Sequence, residues 1–358
     1  MRLLTPLHIG TGTILTEGFD YVTHNGRTYR LDLDVLAEEL YTRDPRLIEL
    51  LLKTPPGQLL KPEELRPDAP FIRYVLPGVP SGQQFREAIK DPYDRPYIPG
   101  SSLKGALRTV IAWHAWKELG LSLASVRLGQ QAKFASKDLE AEIFGKDPKK
   151  GTYSPNHDLL KAFRISDSHP VDAEALGIYQ VKVWTRRGGA APISVEAIKP
   201  GTEIAIEASV DENLFSEWAS KAPGFPLRHK NWIDSLPQLA RKRAAERLKC
   251  EIGFWEEAGY KELFYGLAGQ IKALNKESTG FPLQLGFGTG WEGTTIGAPL
   301  KEDPEWPKVY RRYPMGINPK TKRRTPPQEY PRSRRVVVNK QGKPAAPLGW
   351  VWVQWKEA

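Results

Sequence analysis

Cysteine is almost absent from this sequence, with one residue, Cys250, among 358. A single thiol excludes a disulfide framework and any zinc site built from several cysteines, and it suits a reducing compartment. No two of the six histidines lie close together in the sequence, so the spacing of a histidine metal site is missing too. The sequence therefore predicts neither a bound metal nor another cofactor.

Long apolar runs are also absent. No segment approaches the 18 or so apolar residues that cross a membrane, and Pro6 and His8 interrupt the apolar start that a signal peptide requires. We therefore expect a cytoplasmic protein that makes no membrane contact.

The 11 tryptophans, 13 tyrosines and 12 phenylalanines supply the buried apolar surface that disordered chains lack, so we expect an ordered chain. The length favours two domains.

Motifs for nucleotide cofactors are missing or incomplete. The phosphate-loop pattern Gly-x-x-x-x-Gly-Lys-Ser/Thr does not occur. Gly288, Gly290 and Gly293 match a dinucleotide fingerprint, but residues 294–300 cannot form the crossover helix that this fingerprint opens. The interpretation that remains is a backbone, at Gly286, Gly288 and Gly290, that approaches a nucleic-acid strand closely and offers its N–H groups. A purely structural loop is the alternative.

Positive charge is what the sequence has in excess. Lys and Arg number 52 against 42 Asp and Glu, a net charge of +10. Nine basic residues and one acid lie between Arg311 and Arg335, so this basic segment alone carries a net +8. Arg323, Arg324 and the interleaved tyrosines match the needs of a nucleic-acid strand, with guanidinium groups for phosphates and flat rings for stacking. A solvated, mobile loop is the alternative.

A second candidate site follows a predicted turn at residues 99–100. The pattern predicts a helix that Ser101 or Ser102 caps and that ends at about Glu118. Ser101, Lys104 and Arg108 share a face away from the apolar side, beside the free N–H groups of the helix start, which suits a phosphate. An ordinary capped helix with an exposed basic stripe is the alternative.

Four segments, in this order along the chain, resemble the CRISPR-associated RAMP (repeat-associated mysterious protein) superfamily. They are residues 4–12, 99–108, 164–168 and 285–291. The Pro-Gly-Ser-Ser-Leu-Lys-Gly motif in the second segment is typical of the whole superfamily. Its combination with the Ser-Asp-Ser strand and the late glycine-rich segment is similar to the family of fifth Csm subunits in type III-A effector complexes.

The resemblance implies an α+β fold of two ferredoxin-like (RRM-like) RAMP units with large insertions and a basic C-terminal segment. We expect an N-terminal domain over residues 1–210, with an insertion at about 11–95. We expect a C-terminal domain over residues 211–358, which contains the glycine-rich loop and the basic segment.

For function, the resemblance implies a non-catalytic, RNA-binding subunit of a type III-A Csm ribonucleoprotein in antiviral defence. Such a subunit caps the filament at the 3′ end of the crRNA and supports crRNA 3′-end maturation through recruited host nucleases. Its partners would be the crRNA, the repeated RAMP backbone subunit and the small helical subunit, with target RNA met indirectly. By motif position, Ser101, Ser102, Lys104 and Arg108 would contact the guide backbone, as would the loop at residues 286–293.

Two other functions remain open at this point. One is a metal-independent RAMP endoribonuclease that processes precursor crRNA, with His8 or His24 as general base near an RNA 2′-hydroxyl. The other is a protein adaptor that touches no RNA.

Overall fold

The structure of the protein is a computed structural model that describes residues 1–51, 53–221, 227–277, 279–318 and 321–355. Parts of the two predicted domains lie outside these residues: Leu52, residues 222–226, residue 278, residues 319–320 of the basic segment and residues 356–358.

The described residues form short strands and helices in mixed order. The strands are β1 (Arg2–Leu3), β2 (Gly10–Thr16), β3 (Tyr21–His24), β4 (Arg27–Leu31), β5 (Ile72–Pro77), β6 (Gln84–Ala88), β7 (Phe163–Ile165), β8 (Leu176–Thr185), β9 (Gly188–Gly189), β10 (Ile193–Ile198), β11 (Ala208–Val210), β12 (Phe281–Gln284), β13 (Ser333–Val338), β14 (Pro344–Ala346) and β15 (Trp350–Val353). The helices are α1 (Leu33–Arg43), α2 (Leu47–Leu51), α3 (Gly100–Glu118), α4 (Lys137–Phe144), α5 (Glu217–Lys221), α6 (Lys230–Asp234), α7 (Leu236–Glu257), α8 (Glu262–Glu277), α9 (Gly290–Thr294), α10 (Ala298–Glu302) and α11 (Trp306–Arg312). Within the described ranges, no helix has the length and apolar character to cross a membrane.

The first and last strands of the chain meet in one sheet. β15 pairs antiparallel with β1 on one side and with β12 on the other. Across the free side of β1, Leu3 N donates to Thr202 O and Ile204 N donates to Met1 O, and the chain continues from there into β11, which pairs with β7. α3 and α7 contribute to the apolar core beneath these strands. This order, β1, α3, β7, β11, α7 and then β12 with β15, gives the expected α+β, ferredoxin-like arrangement.

Two further sheets extend this unit. The larger has the strand order β14-β13-β8-β10-β6-β2, with β9 attached to β8, and its β10–β6 pair is parallel. The smaller, β3-β4-β5, packs with α1 around a core of its own inside the predicted insertion at 11–95. The proposed division at residue 210 stays a prediction, and the sheet that joins β1 to β15 links its two halves.

The helix predicted after residue 99 is α3, and its predicted end at about Glu118 is confirmed. The predicted serine cap is wrong. Pro99 is the N-cap and neither serine side chain caps the helix, because Gly100 N donates instead to Asp167 Oδ1 at 2.8 Å. Gly100 permits this approach, since a Cβ there would lie 2.4 Å from Ser166 O. The Ser-Asp-Ser segment therefore closes the helix start.

Candidate nucleic-acid interface

The glycine-rich loop between β12 and α9 packs against the start of the chain. Phe287 N donates to His8 O at 2.8 Å. Gly286, Gly288 and Gly290 have φ values of +67°, +102° and +70°, which side chains rarely adopt. A Cβ at Gly286 would also lie 2.4 Å from His8 O, and one at Gly288 would lie 2.8 Å from Leu348 Cβ. The first two glycines are therefore required for packing, whereas Gly290 has open space beside it.

An open cleft of about 550 Å³ lies beside this loop. We call it the glycine cleft, and it is lined by parts of residues 8–13 and 286–294 together with Arg86, Glu87 and Arg335. The cleft thus brings together three of the predicted RNA-binding residues, Gly286, Gly288 and Gly290.

Two arginines in the glycine cleft have no carboxylate partner. Within the part of the chain that the structure describes, no acid lies within ion-pair distance of Arg86 or Arg335, and Glu87 is engaged by Lys90 at 3.5 Å and by Arg30 at 3.7 Å. The guanidinium carbons lie over the ring of Phe287, at 4.5 Å for Arg335 and 5.9 Å for Arg86. Partial burial, with a contribution from Arg86, lowers the pKa of Arg335. Two neighbouring cations that share one aromatic ring make an anion-binding surface.

His8 is a titratable residue in the lining of the glycine cleft. Its Nδ1 lies 2.6 Å from Glu196 O, and its ring meets Phe287 edge-on at 5.5 Å between centroids. Burial lowers the pKa of His8 below 6.5; the bond to Glu196 O opposes this shift, while Arg86 and Lys90 add to it. His8 is therefore neutral at pH 7. His24 lies in β3, beside Asn25, and is not part of the cleft lining.

The predicted site at the start of α3 has a different electrostatic character. Arg108 donates to Asp158 Oδ2 at 2.6 Å and to Glu140 Oε2 at 3.2 Å, and its guanidinium stacks on Phe144 at 3.5 Å. Burial lowers the pKa of Lys104, with Asp158 opposing the shift and Arg108 adding to it.

The two serines of this site differ in exposure. Ser101 is exposed and Ser102 is half-buried. The helix-start N–H of Gly100 is already bound to a carboxylate. RNA contact by the four residues Ser101, Ser102, Lys104 and Arg108 stays a prediction.

Most described residues of the basic segment are exposed, but its tyrosines are buried or half-buried. Tyr310 is fully buried against Trp306 and Tyr330, so these rings are core rather than stacking platforms. Arg323 and Arg324 are both exposed, and Arg324 also donates to Arg311 O at 2.9 Å, near the end of α11. RNA contact by Arg323 and Arg324 also stays a prediction.

Arg334 from the same segment belongs to an interior ion-pair network. It donates to Glu251 Oε1 at 2.9 Å and to Glu292 Oε2 at 2.7 Å, and Arg247 and Lys301 pair with Glu292 at 3.1 Å each. This network joins α7, α9 and β13 behind the glycine-rich loop. Its arginines therefore support the loop from within.

Sequence reasoning missed Arg86 as a functional residue and gave Arg335 no role of its own. Arg86 sits in an ordinary strand pattern, and its position opposite the glycine-rich loop depends on sheet order. The sequence offers one signal for this cleft. Arg335 follows Arg334 in a strand, so the two side chains face opposite sides of the sheet. Among the described residues, no three His, Cys, Asp or Glu side chains are grouped so that they could hold a metal ion.

Comparisons with known proteins show the family to which the chain belongs. Residues 1–352 match the family model described as RAMP superfamily. The chain is similar to the CRISPR system Cms protein Csm5 of Methanocaldococcus jannaschii, 25% identical over 98% of this chain and 87% of that protein. It is also similar to Csm5 of Streptococcus thermophilus, 32% identical over 73% of this chain and 78% of that protein.

Two solved structures resemble the chain over nearly its whole length. One is a chain in the cryo-EM structure of a Csm–crRNA–target RNA ternary complex of a type III-A CRISPR-Cas system, with a TM-score of 0.72, 28% identity, and coverage of 98% of this chain and 97% of that chain. The other is the crystal structure of T. onnurineus Csm5, with a TM-score of 0.65, 27% identity and 98% coverage of both chains.

Proposed function

Because the chain belongs to the RAMP superfamily and is Csm5-like, we propose that it is an RNA-binding subunit of a type III-A Csm complex. Its relatives are named as Csm5 proteins of a CRISPR system, and one structural neighbour comes from a complex of Csm with crRNA and target RNA. In the finer proposal, the subunit caps the filament at the crRNA 3′ end beside the repeated RAMP backbone and small helical subunits. It supports 3′-end maturation through recruited host nucleases and cleaves nothing itself.

The observation that carries RNA binding is the glycine cleft. Arg86 and Arg335 have no carboxylate partner among the described residues, so their charge is available to phosphates. Phe287 adds a flat ring beside them, and Gly290 leaves open space next to the backbone. Phosphate and ring contacts hold a strand whatever its sequence, which is what a variable guide requires.

Replacing both cleft arginines tests this proposal. Each charged contact contributes about 1.5–3 kcal/mol, so Arg86→Gln with Arg335→Gln should weaken single-stranded RNA binding on the order of a hundredfold. The slope of log K against log salt should fall by about 1.4, since each contact to a single strand contributes about 0.7. Fluorescence anisotropy across a salt series measures both quantities.

The matched control removes the same charge elsewhere. Arg66 and Arg127 are exposed and lie outside the cleft lining. Arg66→Gln with Arg127→Gln should change affinity far less. Equal losses in the two double variants would show that net charge, and not the cleft, holds the RNA.

A metal-independent endoribonuclease is the second candidate, and His8 is the observation that favours it. A neutral imidazole in the cleft could take a proton from a 2′-hydroxyl. Cleavage also needs an acid for the leaving oxygen. A guanidinium is a poor proton donor, and Lys90 is bound to Glu196 at 2.6 Å.

Incubation with repeat-containing RNA and EDTA separates the two functions. The non-catalytic proposal expects intact RNA. Cleavage that is lost in His8→Ala and kept in His24→Ala would establish the nuclease instead.

A further inference from the structure

We propose that the glycine cleft recognises the ribose 2′-hydroxyl of a bound strand, with Nε2 of His8 as the hydrogen-bond acceptor. This inference rests on the proposed RNA binding. It adds a specific ability, which is to distinguish RNA from single-stranded DNA by a contact that does not depend on the base.

The tautomer of His8 follows from its one hydrogen bond. Nδ1 lies 2.6 Å from the carbonyl oxygen of Glu196, and a carbonyl oxygen can only accept. Nδ1 therefore carries the proton in the neutral ring, and Nε2 presents a lone pair. Nε2 has no hydrogen-bond partner among the described residues. Burial and the nearby charges of Arg86 and Lys90 disfavour a second proton on the ring.

Gly10 leaves Nε2 open to a ligand. A Cβ at residue 10 would lie 2.8 Å from His8 Nε2, closer than real Cβ contacts. Gly10 is exposed, and its φ lies outside the left-handed region that favours glycine. The backbone at this position would therefore accept other residues. What the missing side chain provides is space beside the acceptor nitrogen.

The chemistry of the cleft selects the 2′-hydroxyl as the donor. The guanidinium groups of Arg86 and Arg335 are donors, and they suit phosphate oxygens. A phosphodiester carries no proton at neutral pH, so it cannot bind the lone pair on Nε2. Base edges offer N–H donors, but these differ from base to base. The 2′-hydroxyl is the donor that every ribonucleotide carries and every deoxyribonucleotide lacks.

The experiment compares three oligonucleotides of one mixed sequence on the full chain: RNA, its 2′-deoxy form and its 2′-fluoro form. Fluorine can accept a hydrogen bond but cannot donate one. The wild-type protein should bind RNA about five- to tenfold more tightly than either analogue, which is the size expected for one neutral hydrogen bond.

Two variants locate this preference at His8. His8→Phe keeps an aromatic ring but removes the acceptor, and Gly10→Ala places a methyl group against Nε2. Both should bring the ratio of RNA to DNA affinity close to one, chiefly by weakening RNA binding. Gly10→Ala changes an exposed position and keeps the imidazole of His8, so it covers the case in which His8→Phe does not fold. Arg86→Gln is the matched control, and it should weaken both strands equally.

The outcomes separate this inference from the proposed function. Equal binding of RNA and DNA by the wild-type chain, or a preference that survives in Gly10→Ala, overturns the role of His8 and leaves RNA binding standing. A wild-type chain that binds neither strand contradicts the proposed function and this inference together.

Discussion

Arg335 in the glycine cleft and Arg108 on α3 carry the same charge but in opposite surroundings. Arg108 is matched by Asp158 and Glu140 at 2.6 and 3.2 Å and stacks on Phe144. Arg335 meets another arginine across Phe287 and has no acid beside it among the described residues. A cation already bound to two carboxylates offers little to a phosphate. The carboxylates that the fold brings in, rather than the number of basic residues, decide where an anion can bind.

The same contrast occurs between two consecutive residues of β13. Arg334 points into the network with Glu251 and Glu292, whereas Arg335 points to the glycine cleft. Successive side chains on a strand face opposite sides of the sheet, so one arginine supports the glycine-rich loop and its neighbour faces the proposed ligand.

The largest expected effect compares these neighbours directly. Arg334→Ala leaves two buried carboxylates short of a partner and should lower the free energy of unfolding by about 3 kcal/mol. Arg335→Ala should change it by no more than about 0.5 kcal/mol while weakening RNA binding about tenfold or more. Urea unfolding and RNA anisotropy on the same samples measure the two effects. A comparable loss of stability in Arg335→Ala would show that this residue, too, is structural.

A smaller effect separates Arg108 from Lys104, which share one face of α3. Arg108→Ala removes a partner of Asp158, but Tyr153 and Leu160 N still donate to that carboxylate. We expect a loss of about 1–3 kcal/mol in unfolding free energy.

Lys104→Ala should leave stability nearly unchanged, because no hydrogen bond or ion pair joins its ammonium to the described residues. If the predicted guide contact at α3 is real, this variant weakens RNA binding by itself. Unchanged RNA affinity in Lys104→Ala would contradict that contact, and the glycine cleft would then be the remaining proposed RNA-binding site.

The elements were predictable where the signal is local. The start of α3 after the turn at 99–100 and its end near Glu118 follow from turn chemistry and apolar periodicity. The glycines at 286, 288 and 290 follow from the need for positive φ in a tight loop. Turn chemistry, apolar periodicity and positive φ depend on neighbours in the chain, which a sequence displays directly. The packing of Gly286 and Gly288 against His8 and Leu348 does not.

The charge balance of each site was not predictable, because it depends on residues far apart in sequence. Asp158 and Glu140 reach Arg108 across 50 and 32 positions. Asp167 replaces the predicted serine cap across 67 positions. Arg86 and Arg335 meet only through the order of strands in the large sheet. A pattern of basic residues therefore indicates candidate anion-binding residues, and the fold determines which of them carboxylates already engage.

Protonation of Glu292 in acid should remove a carboxylate from the interior ion-pair network. Its cations would then be less fully paired, as Arg335 is at neutral pH among the described residues. Burial by itself would raise the pKa of Glu292, but Arg334, Lys301 and Arg247 hold it below its ordinary value of 4.5. The stabilisation is therefore complete above the unfolded pKa of 4.5, and it is lost as the pH falls through the lower folded value.

Glu292→Gln should accordingly be less stable than the wild type at neutral pH, and the two stability curves should converge as the pH falls below 4.5. Urea unfolding across that range measures the convergence, and Glu256→Gln, at an exposed carboxylate, should show no such trend. A deficit in Glu292→Gln that stays constant with pH would mean that the glutamine disturbs packing rather than charge. Arg335 has no carboxylate partner among the described residues, so this titration separates arginines that pair with acids from the arginine that we propose contacts a ligand.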